Sequence, residues 1–440
     1  MTSAPAKESF MPAPATNAAA LPWLAEAAGM EKDKSVNWVK ALRATGAESF
    51  SRTGLPTPAW EGWQYTNLRP LTAVKFHYSA EPAIFDAAKL PAPLLDGYRV
   101  VVVNGQYQQK LSDLPKNVTV QSLMDAAANK APGLEDALVR VGDLAASPLM
   151  ALNSAYLRDG FVLDVAKNAD IGKPIEVLFF NTGNDAAIYP RVLYHLGENS
   201  GVTIIERHTG TGSYFTNIYA AVAQDSASRL KLYRIVDESG NSYHINMTAA
   251  QFQKGAQFEG FSMALGGKLT RQEYQLQLLD RDICANIGGT YLMTGQESHD
   301  FTILADHFEP GGKSSQHFRG VLDDQARTVF QGKIHVRRSA QKTDGYQSHH
   351  ALLLAPAAEA SAKPELEIYA DDVKCSHGAT SGQLDPVALF YLKSRGIPED
   401  EAKSLLAEAF LNEAINQVTF EPLRELYKAR AARWLAERKQ

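Results

Sequence analysis

The chain has 440 residues, with 49 acidic against 44 basic side chains and a formal net charge of −5; at roughly 150 residues per domain this is room for about three domains or one elongated one. Hydrophobic residues make up 45% and charged residues 21%, ample for a large soluble core, and the acidic balance excludes phosphate-tracking nucleic-acid binding, which needs a clustered basic surplus. The two cysteines, Cys284 and Cys375, exclude a disulfide framework and a self-contained four-cysteine zinc or iron–sulfur site.

Residues 1–21 are rich in Ala and Pro and read as a disordered tail. With Lys7 and Glu8 interrupting them they carry no export signal, and the longest valine run, Val100–Val103, is far too short to cross a bilayer. A cytoplasmic protein without membrane contact is expected. From residue 22 to 97 the pattern is that of an N-terminal helical region, broken by Pro56 and Pro58 and followed by an aromatic plug of Trp60, Trp63 and Tyr65.

Between residues 98 and 384 short β-prone runs recur, punctuated by Gly, Asn, Asp and Ser. Small-residue-then-strand units begin near Asn199, Ser226, Gly255, Asp280 and Gln325, at intervals of 27, 29, 25 and 45. The last interval is read as two coils of about 22 residues, within the range of a solenoid repeat. The predicted core is therefore mainly β, a parallel β-helix rather than a sandwich. Residues 385–440 turn helical: Asp385 can cap a helix with Pro386 at its first position, Gly396 can end it, and Pro398 opens the next. Apolar residues such as Leu389, Phe390 and Leu406 cannot all be buried in so small a module. The helices are expected to fold back on the end of the β-helix.

Gly311-Gly312-Lys313-Ser314 is not a phosphate loop, since His307 stands where the first glycine belongs. No dinucleotide fingerprint or nucleophile elbow is present either, so the chain is expected to bind no nucleotide and to be non-enzymatic. All histidines but His77 lie from His195 to His377. His349 and His350, adjacent on a strand, would face opposite ways and cannot share a metal; His299 and His307 are expected on separate strands or a loop, each structural. Cys375-Ser376-His377 differs. If extended, it places a sulfur and an imidazole on one face, half of an iron or zinc site, with Glu367, Asp371 and Asp372 just upstream as further oxygen donors.

The segment Leu366–Asp385, containing Cys-Ser-His-Gly-Ala-Thr, resembles the SufD family of the SUF iron–sulfur cluster assembly system, and so does Leu389–Ile397. Glu61–Leu68, Val103–Gly105, Leu152–Ala155, Asp159-Gly160 and Lys342–Gly345 extend the resemblance over most of residues 55–415. It implies a right-handed parallel β-helix between helical regions, pairing with a SufB-like paralogue to form the SufBCD complex. It also implies docking of a SufC-like ABC-type ATPase on the C-terminal helices, where Leu389, Phe390 and Leu406 become partner-binding candidates. Cys375 and His377 would then be metal-site residues for a transient iron–sulfur cluster whose remaining ligands come from the partner. An isolated chain is free to homodimerise. The alternatives are a SufB-type scaffold and a β-helix enzyme acting on polysaccharide, for which Asp323-Asp324 and Asp371-Asp372 are the available acids.

Overall fold

The computed structural model describes residues 17–27, 35–78, 85–131, 133–139, 144 and 147–438. It is 43% strand and 24% helix, a parallel β-solenoid of about 8 turns with helices toward both chain ends. Most of the expected tail, residues 1–16, lies outside the described residues. Residues 17–21 are not a tail: Asn17 caps a helical turn at Ala18–Ala20 and Ala20 is fully buried.

Each coil contributes one strand to each of two faces. Arg229–Asp237, Gln257–Ala264, Cys284–Met293, Lys313–Leu322, Asp344–Leu353 and Lys374–Gly382 stack in parallel on one face. Tyr243–Phe252, Leu269–Leu278, Ser298–His307, Arg327–Val336 and Glu359–Ile368 stack on the other. The register step runs from 26 residues, at Tyr243↔Leu269, to 32, at Arg327↔Glu359. The 45-residue interval is therefore not two short coils. It passes over the coil that begins at Gly311 and ends on the opposite face.

A turn geometry sets the period. Asn168, Asn199, Ala227, Gly255, Asp282, Gly311 and Lys342 all have positive φ, between 56° and 78°, the left-handed region where Gly, Asn and Asp are least strained. Each donates its N–H to the turn carbonyl of the following coil, as Asp282 does to Pro310 and Lys342 to Asp372. The small-residue signals near Asn199, Gly255 and Asp280 are these turns, and so is the Gly311-Gly312 pair.

Inward-facing Val, Ile, Leu, Phe and Tyr side chains form one continuous core from Val100 to Ala358. The first end of the solenoid is covered: Val118–Ser122 runs antiparallel to Gly160–Val165, and the helices Leu123–Ala128, Leu134–Val139 and Pro148–Ala155 pack beside it. These helices interrupt what the sequence presents as an unbroken β region. Trp63 is buried between the N-terminal helices and the solenoid, with the Arg271 guanidinium 3.9 Å from its ring centroid, while Tyr65 is exposed.

The C-terminal helices Glu399–Ile415 and Glu421–Glu437 do not cover the opposite end. Leu411, Ile415, Leu423 and Tyr427 pack on Tyr233, Phe261, Leu292 and Val321, along the flank of one face, and the Tyr427 hydroxyl donates to the Arg234 carbonyl at 3.1 Å. The expectation that they fold over the solenoid's end is thus corrected. The flank offers a continuous apolar strip, whereas the end offers only one coil's width.

Candidate functional site at the open end of the solenoid

Among the described residues the last two strands, Glu359–Ile368 and Lys374–Gly382, each pair with one neighbour only, Arg327–Val336 and Asp344–Leu353 respectively. Their outer edges are free, and unpaired strand edges are templates for another strand. Inward-facing residues of this coil cover the coil beneath but have nothing above them, so Ala362 and Ile368 are exposed although their register partners Phe330 and Val336 are buried.

Cys375 and His377 both lie on this terminal strand, in register with the inward-facing Gly345 and Gln347. The i, i+2 spacing thus puts both on the solenoid's open end. Cys375 is half-buried against Ile334, Val336, Ala340 and Ala370. A Cβ on Gly345 would come within 3.3 Å of its Sγ, so the glycine makes room for the sulfur. Burial pushes the thiol pKa up, opposed by a hydrogen bond from the Gly345 backbone. At neutral pH the thiol is therefore protonated until a metal or cation stabilises the thiolate. His377 is exposed, with no hydrogen-bond partner among the described residues.

Beneath His377 the interior is polar rather than aliphatic. Gln316, Gln347 and His377 form one inward column through successive coils. Gln316 and Gln347 are fully buried, with both amide atoms of Gln316 and Oε1 of Gln347 unpartnered. Sequence reading missed these glutamines; their spacing of one coil length from His377 is the signal, visible only once the register is known.

The other candidates separate. Glu367 faces outward and ion-pairs with Lys333 at 2.5 Å, away from Cys375. Asp371 and Asp372 form the last turn, where the Asp372 carbonyl accepts from Lys342. Cys284 stands in the column of Lys313, Asp344 and Lys374, three strands back and about 14 Å away at 4.8 Å per strand, on the outward side. His349 is buried with its Nε2 2.6 Å from the Tyr291 hydroxyl, and His350 faces out to Thr380 at 2.6 Å. His299 and His307, expected on separate strands or a loop, occupy one strand, Ser298–His307, and both are buried. Asp323 pairs with Arg438, and Asp324 accepts from the Gly295 N–H at 3.0 Å, so this acidic pair builds a turn.

On the helix Pro386–Ser394, capped by Asp385 as the sequence implies, Phe390 is 72% exposed and Leu389 is half-buried. Leu406 on the next helix is half-buried too. Val387, Tyr391 and Leu405 are exposed as well, although none of them is among the partner-binding candidates that the sequence offers.

A soft sulfur and an imidazole on a free strand edge are half of an iron-binding set, open to a second chain. Comparison with known proteins identifies the family. Residues 179–410 match the family model described as "SUF system FeS cluster assembly, SufBD core domain", and residues 21–177 match the SufBD protein N-terminal region. An iron–sulfur cluster assembly SufBD family protein of Synechocystis is 31% identical, covering 86% of each chain. The iron–sulfur cluster assembly protein SufD of Escherichia coli is 30% identical over 87% of this chain and 90% of its own. SufD of Bacillus subtilis is 26% identical over 90% and 93%. With more than half its length under the core model, the chain belongs to the SufBD family of SUF iron–sulfur cluster assembly proteins.

Proposed function

We propose that this chain is a SufD-type subunit: a non-enzymatic scaffold that pairs with a SufB-like paralogue through the open end of its solenoid and carries a SufC-like ATPase on its C-terminal helices. The observation that carries the reading is the pair of free terminal strands, the last of which, Lys374–Gly382, bears both Cys375 and His377. Edge pairing by a second solenoid would satisfy the unpaired backbone groups and enclose the sulfur and the imidazole. The nascent cluster is cargo: Cys375 as thiolate and His377 as neutral imidazole would supply two ligands, and the partner the others. Enclosure would also remove water from around Cys375, whose buried thiol already needs a metal to ionise.

The exposed Val387, Phe390 and Tyr391, on a helix that packs on its neighbour Glu399–Ile415, supply an apolar surface of the kind that anchors a protein partner. No described helix is long and apolar enough to cross a membrane. The reading is tested by co-expression with SufB- and SufC-like partners and affinity purification through this chain under anaerobic conditions. Recovery of both partners with bound iron and sulfide is expected. A chain that recovers neither partner is not a SufD-type subunit.

A further inference from the structure

Deep inside the solenoid, far from Cys375, a second set of metal-ligating side chains converges. His208 lies on the strand Gly201–Gln224, Glu238 follows the strand Arg229–Asp237, and His244 lies on Tyr243–Phe252. One nitrogen of each imidazole and one oxygen of Glu238 lie within 4.8 Å of one another, and all three side chains are fully buried.

The hydrogen bonds leave two nitrogens over. His208 Nε2 is 3.2 Å from Glu206 Oε2, and His244 Nδ1 is 3.1 Å from Glu238 Oε1. Each imidazole therefore gives one N–H to a carboxylate. The opposite nitrogens, His208 Nδ1 and His244 Nε2, have no hydrogen-bond partner. His208, with the Glu206 carboxylate behind Nε2 and a bare Nδ1, has the arrangement that orients a metal-binding histidine, while an ion shared by His244 and Glu238 would take the place of the proton between His244 Nδ1 and Glu238 Oε1.

Charge points the same way. Glu206 is matched by the Arg234 guanidinium at 2.5 Å. Glu238 accepts from the Tyr214 hydroxyl and from His244, but among the described residues no Lys or Arg pairs with it. A buried carboxylate without a cation is costly, and a bound cation removes that cost.

We propose that His208, Glu238 and His244 bind a single divalent first-row transition ion, ferrous iron or zinc, inside the solenoid, independently of the SufD-type reading. Two imidazoles and a carboxylate suit either ion, with a fourth position left to water. Metal–ligand bonds of about 2.0–2.1 Å need donor atoms about 3.3 Å apart, so the set contracts around the ion by side-chain rotation. Because the three donors come from successive segments and are sealed from solvent, the ion enters while the coils stack and ties them together.

The test is to express the full chain in minimal medium containing cobalt(II), so that the probe is present during folding, then to pass it through gel filtration with EDTA. About one cobalt per chain is expected, with the intense visible bands of a four-coordinate nitrogen and oxygen site and no thiolate charge-transfer band. The Cys375→Ala/His377→Ala variant should keep the ion, and His208→Gln/His244→Gln should lower cobalt content about tenfold or more. Parallel growth with zinc, and anaerobically with ferrous iron, identifies which ion is preferred. A soluble wild-type chain that emerges metal-free overturns the proposal, as does loss of cobalt in the Cys375/His377 variant or its retention in a folded His208/His244 variant. If the last variant does not fold, the wild-type spectrum and the Cys375/His377 variant still decide.

Discussion

Acid should destabilise this protein well before its exposed carboxylates protonate. Burial, the largest influence on each, holds His208 and His307 at a pKa of about 4 and His299 and His349 at about 3. Their folded pKa values are depressed below the unfolded value of about 6.5. Their stabilising contribution is therefore complete above that value and is lost as pH falls toward 4, because the unfolded chain takes up the protons. At about pH 5 each histidine costs roughly 2 kcal/mol relative to pH 8, and the four together roughly 8. Two buried carboxyls oppose this: Asp159 is raised to about 6 and Glu297 to about 7, both chiefly by burial. Native protonation of these two returns roughly 4 kcal/mol at the same pH. The histidines win, and a net loss of about 4 kcal/mol is expected, a large share of a typical folding stability of about 5–15 kcal/mol. Urea unfolding followed by far-ultraviolet circular dichroism at several pH values reads this directly. His349→Gln should flatten the curve by about one proton. A stability that stays level or rises between pH 8 and 5 would refute the balance of burial effects.

Leu411→Ala, which empties a fully buried position between the C-terminal helices and the flank, should cost about 2–5 kcal/mol by urea unfolding. A Phe390→Ser/Tyr391→Ser change on exposed positions should leave stability within about 0.5 kcal/mol yet abolish ATPase capture in a pull-down; unchanged capture would place that interface elsewhere. Ile368→Glu with Ala362→Glu, at the uncapped end, should leave a folded monomer by gel filtration that no longer pairs with a SufB-like chain or with itself.

The β-solenoid is legible in the sequence because its turns recur: Asn199, Gly255 and Asp282 must adopt positive φ in every coil, and small or polar residues mark those places. The helix Pro148–Ala155 is not legible, since all eight of its residues are buried and no polar face remains to give a helical period. The six-residue helices Leu123–Ala128 and Leu134–Val139 are too short to show one. At the site, the i, i+2 rule places Cys375 and His377 correctly on one face. It cannot find Gln347 beside His377 or His208 near His244, because those neighbours are fixed by register across coils. The resting place of the C-terminal helices is likewise a tertiary choice, decided by the apolar strip of Tyr233, Phe261 and Leu292 on the flank.

The most direct test of the assembly role compares wild type with Cys375→Ala/His377→Ala, each co-purified anaerobically with SufB- and SufC-like partners and assayed for iron and acid-labile sulfide per complex. Both side chains sit on the open end, Cys375 half-buried and His377 exposed, so the variant should fold and recruit both partners in wild-type amounts while its cluster content collapses. A variant complex carrying the full wild-type complement of iron and sulfide would contradict the claim that this strand edge holds the nascent cluster.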